Sequence, residues 1–174
     1  MASRKDIRLK PANYVGLRTY FITLCCQKRA RAFSNPATAA RAVDILRDSA
    51  NLKRFAIHAY CFMPDHAHVL AEGTDPESCL SEFVADFKHK TGHELQSRAH
   101  QVFWQTKFYD HILRKRDSQD AIAWYVWMNP VRKGITGDPW EYPFSGSFTM
   151  DWKNRLRPPT EWTPPWKTPR SGRE

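Results

Sequence analysis

Residues 54–73, RFAIHAYCFMPDHAHVLAEG, decide how the chain is read. Two largely apolar runs, 54–63 and 66–73, are separated only by Pro64 and Asp65. A short polar turn between two such runs predicts an antiparallel hairpin. Alternate side chains of a strand share a face, so His66 and His68 point one way and Ala67 and Val69 the other. The two histidine Cα atoms are then roughly 7 Å apart, which lets both rings converge on one ion. By itself an H-x-H pair is equally compatible with an ordinary half-buried polar face. A metal reading needs a further ligand and a reactive group.

The elements around the hairpin supply a frame. Residues 19–33, TYFITLCCQKRARAF, predict a first strand that runs into the basic residues Lys28, Arg29 and Arg31. Residues 34–54 open with Asn-Pro and carry Ala39, Ala42, Val43, Ile45 and Leu46 at helical spacing. A second amphipathic helix is expected over 75–99, with Leu80, Phe83, Val84 and Phe87 on one stripe. A fourth strand follows, centred on 108–113. A third helix begins at Asp117, whose carboxylate can cap it, and ends where Pro130 and Gly134 stop it. The order β-α-β-β-α-β plus one helix predicts an α+β, ferredoxin-like core with an antiparallel sheet, extended by a C-terminal helix. The expected organisation is a basic N-terminal arm (1–12), one domain (13–150) and a proline-rich, weakly ordered tail (151–174). The aromatics of 138–148 are expected to pack on the body.

Composition narrows the partner. The chain has 174 residues and a formal charge of +9, from 27 Lys+Arg against 18 Asp+Glu. The basic residues are spread along its length, which favours a polyanion, nucleic acid before membrane. Its apolar runs are strand-sized and its start lacks the apolar core of a signal peptide, so a cytoplasmic protein is expected. Cys25, Cys26, Cys61 and Cys79 show no CxxC spacing and read as reduced, mostly buried thiols.

Tyr125 and Asn129 stand four apart on the third helix and so lie on one face, about one turn from each other. A metal held by His66, His68 and the amide oxygen of Asn129 would leave positions for phosphate oxygens, with Tyr125 beside it. The alternative is that Tyr125 packs with Trp124 and Trp127 while Asn129 merely ends a helix. A rival pair, His89 and His93, has helical spacing but lacks the Glu of a zinc-hydrolase motif and reads as solvated. His58 and His100 have no partner spacing; His111 could support the site from a neighbouring strand or be buried structurally. Lys28, Arg29 and Arg31, Arg114, Lys115 and Arg116, and Arg132 with Lys133 are the candidate phosphate contacts. Trp104, Trp127 and Tyr109 could stack unpaired bases, although aromatics also build core.

The segments YFITLCCQKR, FMPDHAHVL, VFWQTKFYDHILR, YVWMNPVRKGI and DPWEYPFSG together resemble the single-tyrosine transposases of the HUH nuclease class, most closely the REP-associated tyrosine transposases. The resemblance covers about residues 13–148. It implies that His66 and His68 are metal ligands, that Tyr125 is the catalytic tyrosine and that Asn129 completes the site. It further implies a Mg²⁺- or Mn²⁺-dependent enzyme that cuts single-stranded DNA beside a hairpin, forms a 5′-phosphotyrosine link and leaves a free 3′-OH. A monomer is expected, with a dimer as the other possibility. Phosphodiesters need their non-bridging oxygens polarised, and a phenol leaves more readily than an aliphatic alcohol, so the link can be reversed without ATP. Asp65 is read as a turn residue. The competing functions are a non-catalytic single-strand nucleic-acid-binding module and a zinc hydrolase that uses the histidines alone.

Overall fold

The computed structural model describes residues 14–95, 103–165 and 167; the expected N-terminal arm, His100 and the end of the second helical segment lie outside them. Within them the order is β1 (Thr19–Cys25), α1 (Pro36–Leu52), β2 (Phe55–Met63), β3 (His66–Gly73), α2 (Leu80–Leu95), β4 (Tyr109–Ile112), α3 (Gln119–Trp127), the single turn α4 (Asn129–Arg132) and β5 (Ser145–Gly146). The sheet runs β4-β1-β3-β2-β5, every pair antiparallel. The first four strands stand in the order expected of the ferredoxin-like core, so the fold class read from the sequence holds.

Period-two alternation divides the core into two layers. From β1, Tyr20, Ile22 and Leu24 face the layer that holds α1 and α2, together with Ala67, Val69 and Ala71 from β3. Phe21 and Leu70 face the opposite layer, packed on Ile122, Val126 and Trp127 of α3. Strand β2 would switch faces halfway were it regular. A register shift between Ile57 and Ala59 adds one residue at His58, so Phe55 and Ile57 share a face with Tyr60 and Phe62.

Helix α1 starts as the sequence suggests. Asn35 Oδ1 accepts from Ala37 N at 2.9 Å and Thr38 N at 3.3 Å, and Pro36 occupies the first turn, where a missing N–H costs nothing. The third helix corrects the expected cap. Ser118, not Asp117, takes Ala121 N at 3.2 Å. The Asp117 carboxylate instead accepts from Arg114 N at 2.8 Å and meets His111 Nε2 at 3.0 Å. Strand β1 ends at Cys25, just before the basic stretch, where Lys28 and Arg29 adopt φ of 52° and 56° and turn the chain.

Strand β5 was not expected. The aromatics of the preceding segment do pack on the body, and backbone bonds follow: Phe62 N donates to Phe144 O at 2.9 Å and Tyr142 Oη to Phe62 O at 2.6 Å. Trp127 Nε1 then donates to Gly146 O at 3.0 Å. Only glycine fits at 146, since a Cβ there would meet the Tyr60 hydroxyl at 2.5 Å. The segment expected to be a weakly ordered tail also contributes to this layer, with Trp152 buried 5.0 Å from the Trp127 ring. Trp104 is core as well, its Nε1 bonded to Thr91 Oγ1 at 2.7 Å, so neither Trp104 nor Trp127 is placed to stack on bases.

Trp127 is 1% exposed and joins α3 to β5 and to Trp152. Trp127→Ala is expected to lower stability by roughly 3–5 kcal/mol in urea unfolding. Trp127→Phe keeps most of the packing and loses the indole bond, so a smaller loss is expected.

Candidate active site

His66 and His68 lie at the start of β3, opposite Cys25 and Thr23 of β1, on the face covered by α3. Their Nε2 atoms are 3.1 Å apart. Each Nδ1 is already engaged: His66 Nδ1 with Asp65 Oδ1 at 2.5 Å, His68 Nδ1 with Thr23 Oγ1 at 2.8 Å. An ionised carboxylate only accepts, so His66 carries its proton on Nδ1 and its Nε2 presents a lone pair. The Thr23 hydroxyl can donate to His68 Nδ1, and His68 Nε2–H then donates to His66 Nε2, which accounts for the 3.1 Å contact.

Burial disfavours the charged form of both rings. It pulls His66 below its ordinary value, partly opposed by Asp65. It drives His68 well below 6.5, with His66 adding to the effect. Burial works against the Asp65 carboxylate, but the His66 hydrogen bond and charge and the Arg29 guanidinium outweigh it and hold its carboxyl below the usual range. A shift of the His68 Nε2 proton to Nδ1 would leave both Nε2 lone pairs facing a cation. Two ligands bound at about 2.1 Å to one ion and at right angles to each other stand about 3 Å apart, so the pair fits a divalent metal. Asp65, read from the sequence as a turn residue, is thus also bonded to one of these histidines.

Helix α3 brings Tyr125 to this face, and Asn129 follows one residue beyond its C-cap, at the start of α4. The Tyr125 ring lies 6.2 Å from His68 and 5.8 Å from Phe21, centroid to centroid. Asn129 is buried; its Nδ2 donates to Tyr125 O at 3.0 Å and Val126 O at 3.1 Å. Of the two ends of the amide only the nitrogen can donate to a carbonyl, so the nitrogen is turned back to the helix and Oδ1 is the end available as a ligand. Among the described residues no group of three or more His, Cys, Asp or Glu side chains is arranged to hold a metal. His89 and His93 therefore gain no third such ligand, although they line a cleft of about 540 Å³ with Phe103 and Trp104.

The expected DNA contacts separate into groups. Arg132 stacks its guanidinium 4.1 Å from the Tyr125 ring centre and donates from Nη2 to Tyr125 O at 2.5 Å. The fields of Arg29 and Lys133 reach His66, and those of Arg132 and Arg29 reach His68. Lys28 and Arg31 are exposed on the loop after β1, and Arg114, Lys115 and Arg116 are exposed before α3. His111 reaches the same layer: its ring is 5.9 Å from Trp162, and its Nε2 meets Asp117.

Sequence reasoning missed the cover on the tyrosine. Trp162 sets its ring 5.1 Å from Tyr125 and 5.0 Å from Phe21, and Lys167 Nζ donates to Tyr125 Oη at 3.0 Å. Trp124 Nε1 bonds Leu156 O at 3.0 Å, which starts this segment across α3. The only signal was the tryptophan content of an otherwise proline-rich stretch.

Residues 15–129 match the family model described as Transposase IS200 like. The chain belongs to the IS200-like transposase family. A REP-associated tyrosine transposase of Escherichia coli (strain K12) is 29% identical over 110 residues, 56% of this chain and 62% of the relative. A putative REP-associated tyrosine transposase of Haemophilus influenzae is 23% identical over 151 residues, covering 80% and 84%. The match thus spans less than two thirds of the E. coli relative's length. A solved REP-associated tyrosine transposase bound to a REP hairpin superimposes with a TM-score of 0.70 at 20% identity, over 98% of both chains, which shows a common fold. No helix among the described residues is long and apolar enough to cross a membrane.

Two outcomes follow from this geometry. A histidine held neutral in the folded state below its unfolded value lets the unfolded chain bind more protons, so stability falls as pH drops below about 6.5. The metal-free protein is expected to show a declining thermal midpoint from pH 6.5 towards 5, with a flatter profile in His68→Gln. Tyr125 is 9% exposed and Tyr109 55%. Nitration mapped by mass spectrometry should modify Tyr109 first, and the double variant Trp162→Ala/Lys167→Ala should speed modification of Tyr125.

Proposed function

We propose that the chain is a metal-dependent single-stranded DNA endonuclease and strand-transferase that acts through Tyr125 beside a hairpin. The observation that carries this reading is the convergence of two buried imidazole Nε2 atoms 3.1 Å apart, one ring within 6.2 Å of a tyrosine on another element. His66, His68 and Asn129 would hold the divalent ion, Mg²⁺ or Mn²⁺. When bound it would polarise a phosphate oxygen and offset the charge gained on attack.

The chain's own groups do the rest. Tyr125 Oη loses its proton and attacks the phosphorus; the bond to the 3′ oxygen breaks, and that oxygen takes up a proton. The product is a 5′-phosphotyrosine and a free 3′-OH. Attack by the 3′-OH of a strand on that ester restores a phosphodiester and frees Tyr125, so no external energy source is needed. Arg132 and Lys133 flank the helix end that carries the nucleophile and suit the DNA backbone on either side of the cut. The exposed sets Lys28, Arg29 and Arg31, and Arg114, Lys115 and Arg116, extend the basic surface. Family membership and the hairpin named with the solved relative support a hairpin-bearing substrate. Tyrosine and histidines meet within one chain, which supports a monomer as the active form.

Labelled single-stranded hairpin DNA incubated with Mn²⁺ tests the reading on a denaturing gel. A covalent protein–DNA adduct is expected, absent in Tyr125→Phe, His68→Ala and after chelation. Binding without cleavage would instead indicate a non-catalytic module. Metal-dependent cleavage that survives Tyr125→Phe would indicate hydrolysis without the tyrosine.

A further inference from the structure

Arg29 and Asp65 form a chain of contacts that ends on His66, and the cleavage step above uses neither in a defined role. Arg29 Nε lies 2.9 Å from Asp65 Oδ2, and the other carboxylate oxygen, Oδ1, lies 2.5 Å from His66 Nδ1. Arg29 Nη1 also donates to Cys25 Sγ at 2.9 Å, on the β1 residue that faces His66. The backbone is arranged to make this possible. Lys28 and Arg29 both occupy the left-handed region, φ 52° and 56°, which side-chain-bearing residues adopt only when their surroundings hold them there. Cys26 N donates to Asp65 O and Arg29 N to Cys26 O, both at 3.0 Å, so the turn after β1 is fastened to the hairpin turn.

We propose that Asp65 and Arg29 are positioning residues for the metal ligand His66. Asp65 fixes the ring plane and the Nδ1–H tautomer, so that Nε2 presents its lone pair to the ion; Arg29 fixes the carboxylate. The proposal rests on the reading of His66 as a metal ligand. The two histidines are supported unequally. His68 meets a neutral hydroxyl, Thr23, inside the sheet, whereas His66 begins its strand beside the turn and is held by a charged pair. A carboxylate behind an imidazole both orients it and strengthens it as a ligand, and loss of such a partner typically lowers metal affinity about 10–100-fold. Arg29 then belongs with the metal ligands, and Lys28 and Arg31 remain for DNA phosphates.

Mn²⁺ titration of the full-length, metal-free protein, with free Mn²⁺ read by electron paramagnetic resonance and no DNA present, tests this directly. Asp65→Ala is expected to weaken binding about 10–100-fold. Asp65→Asn keeps an acceptor for Nδ1–H and loses the charge, so it should recover part of that loss and serves if the alanine variant misfolds. Arg29→Met should weaken binding in wild type and add nothing in the Asp65→Ala background. Asp65 variants with wild-type Mn²⁺ affinity, including any with only a lowered thermal midpoint, would overturn the proposal, provided His66→Ala loses binding. If His66→Ala binds Mn²⁺ as wild type does, the metal reading itself fails.

Discussion

The register of β3 between β1 and β2 is the constraint on which the rest depends. His66 pairs with Cys25 on one side and Met63 on the other, and His68 with Thr23 and Cys61. Because side chains alternate, this register sends both histidines to the α3 face and Ala67, Val69 and Ala71 to the α1 and α2 face. A slip by one residue would bury two imidazoles against Ile45, Leu46 and Phe83 and turn three apolar side chains towards Tyr125. Neither layer would then pack. The same apolar contacts that stabilise the sheet therefore also fix the direction of the two imidazole rings. The hairpin turn at Pro64 and Asp65 is the shortest link that holds that register.

Burial gives the pair its chemistry. In water two imidazoles of this kind would titrate near 6.5 and keep apart. Here desolvation disfavours their charged forms, and Asp65 and Thr23 engage both Nδ1 atoms. The two Nε2 atoms are left facing each other, and the packing around them holds that 3.1 Å contact. This is pre-organisation in a physical sense: the folding energy of the sheet holds a geometry that the ligands alone would not choose.

Much of this was legible in the chain itself. Period-two and helical spacing identified four strands and three helices, because those elements bury one continuous stripe or face. The H-x-H pair was legible because it lies inside one strand, and the Tyr125/Asn129 spacing because the backbone stays helical through Met128 from α3 into α4. What escaped was non-local. Strand β5 is two residues long and exists because Tyr142, Phe144 and Trp127 bond and pack across to β2, which no local pattern encodes. The extra residue at His58 is invisible to periodicity, since FAIHAYCFM reads as one apolar run with or without it. Ser118 displaced Asp117 as the helix cap because His111, a strand away, engages the Asp117 carboxylate. Asp65 looked like turn chemistry because Arg29, 36 positions earlier, supplies the partner that makes it more.

Placing the candidate nucleophile on a helix and the candidate metal ligands on a strand has a mechanical consequence. The strand is held on both edges and cannot move without breaking β1 and β2 pairing. Helix α3 is held by side-chain packing on β2 and β3, and it ends at the C-cap Met128. Ala121 through Trp127 are all buried, and Trp127 Nε1 bonds Gly146 O of β5, so side chains fix α3 in its layer as backbone pairing fixes β3. In the proposed reaction two different kinds of contact would therefore set the distance between Tyr125 and the two histidines.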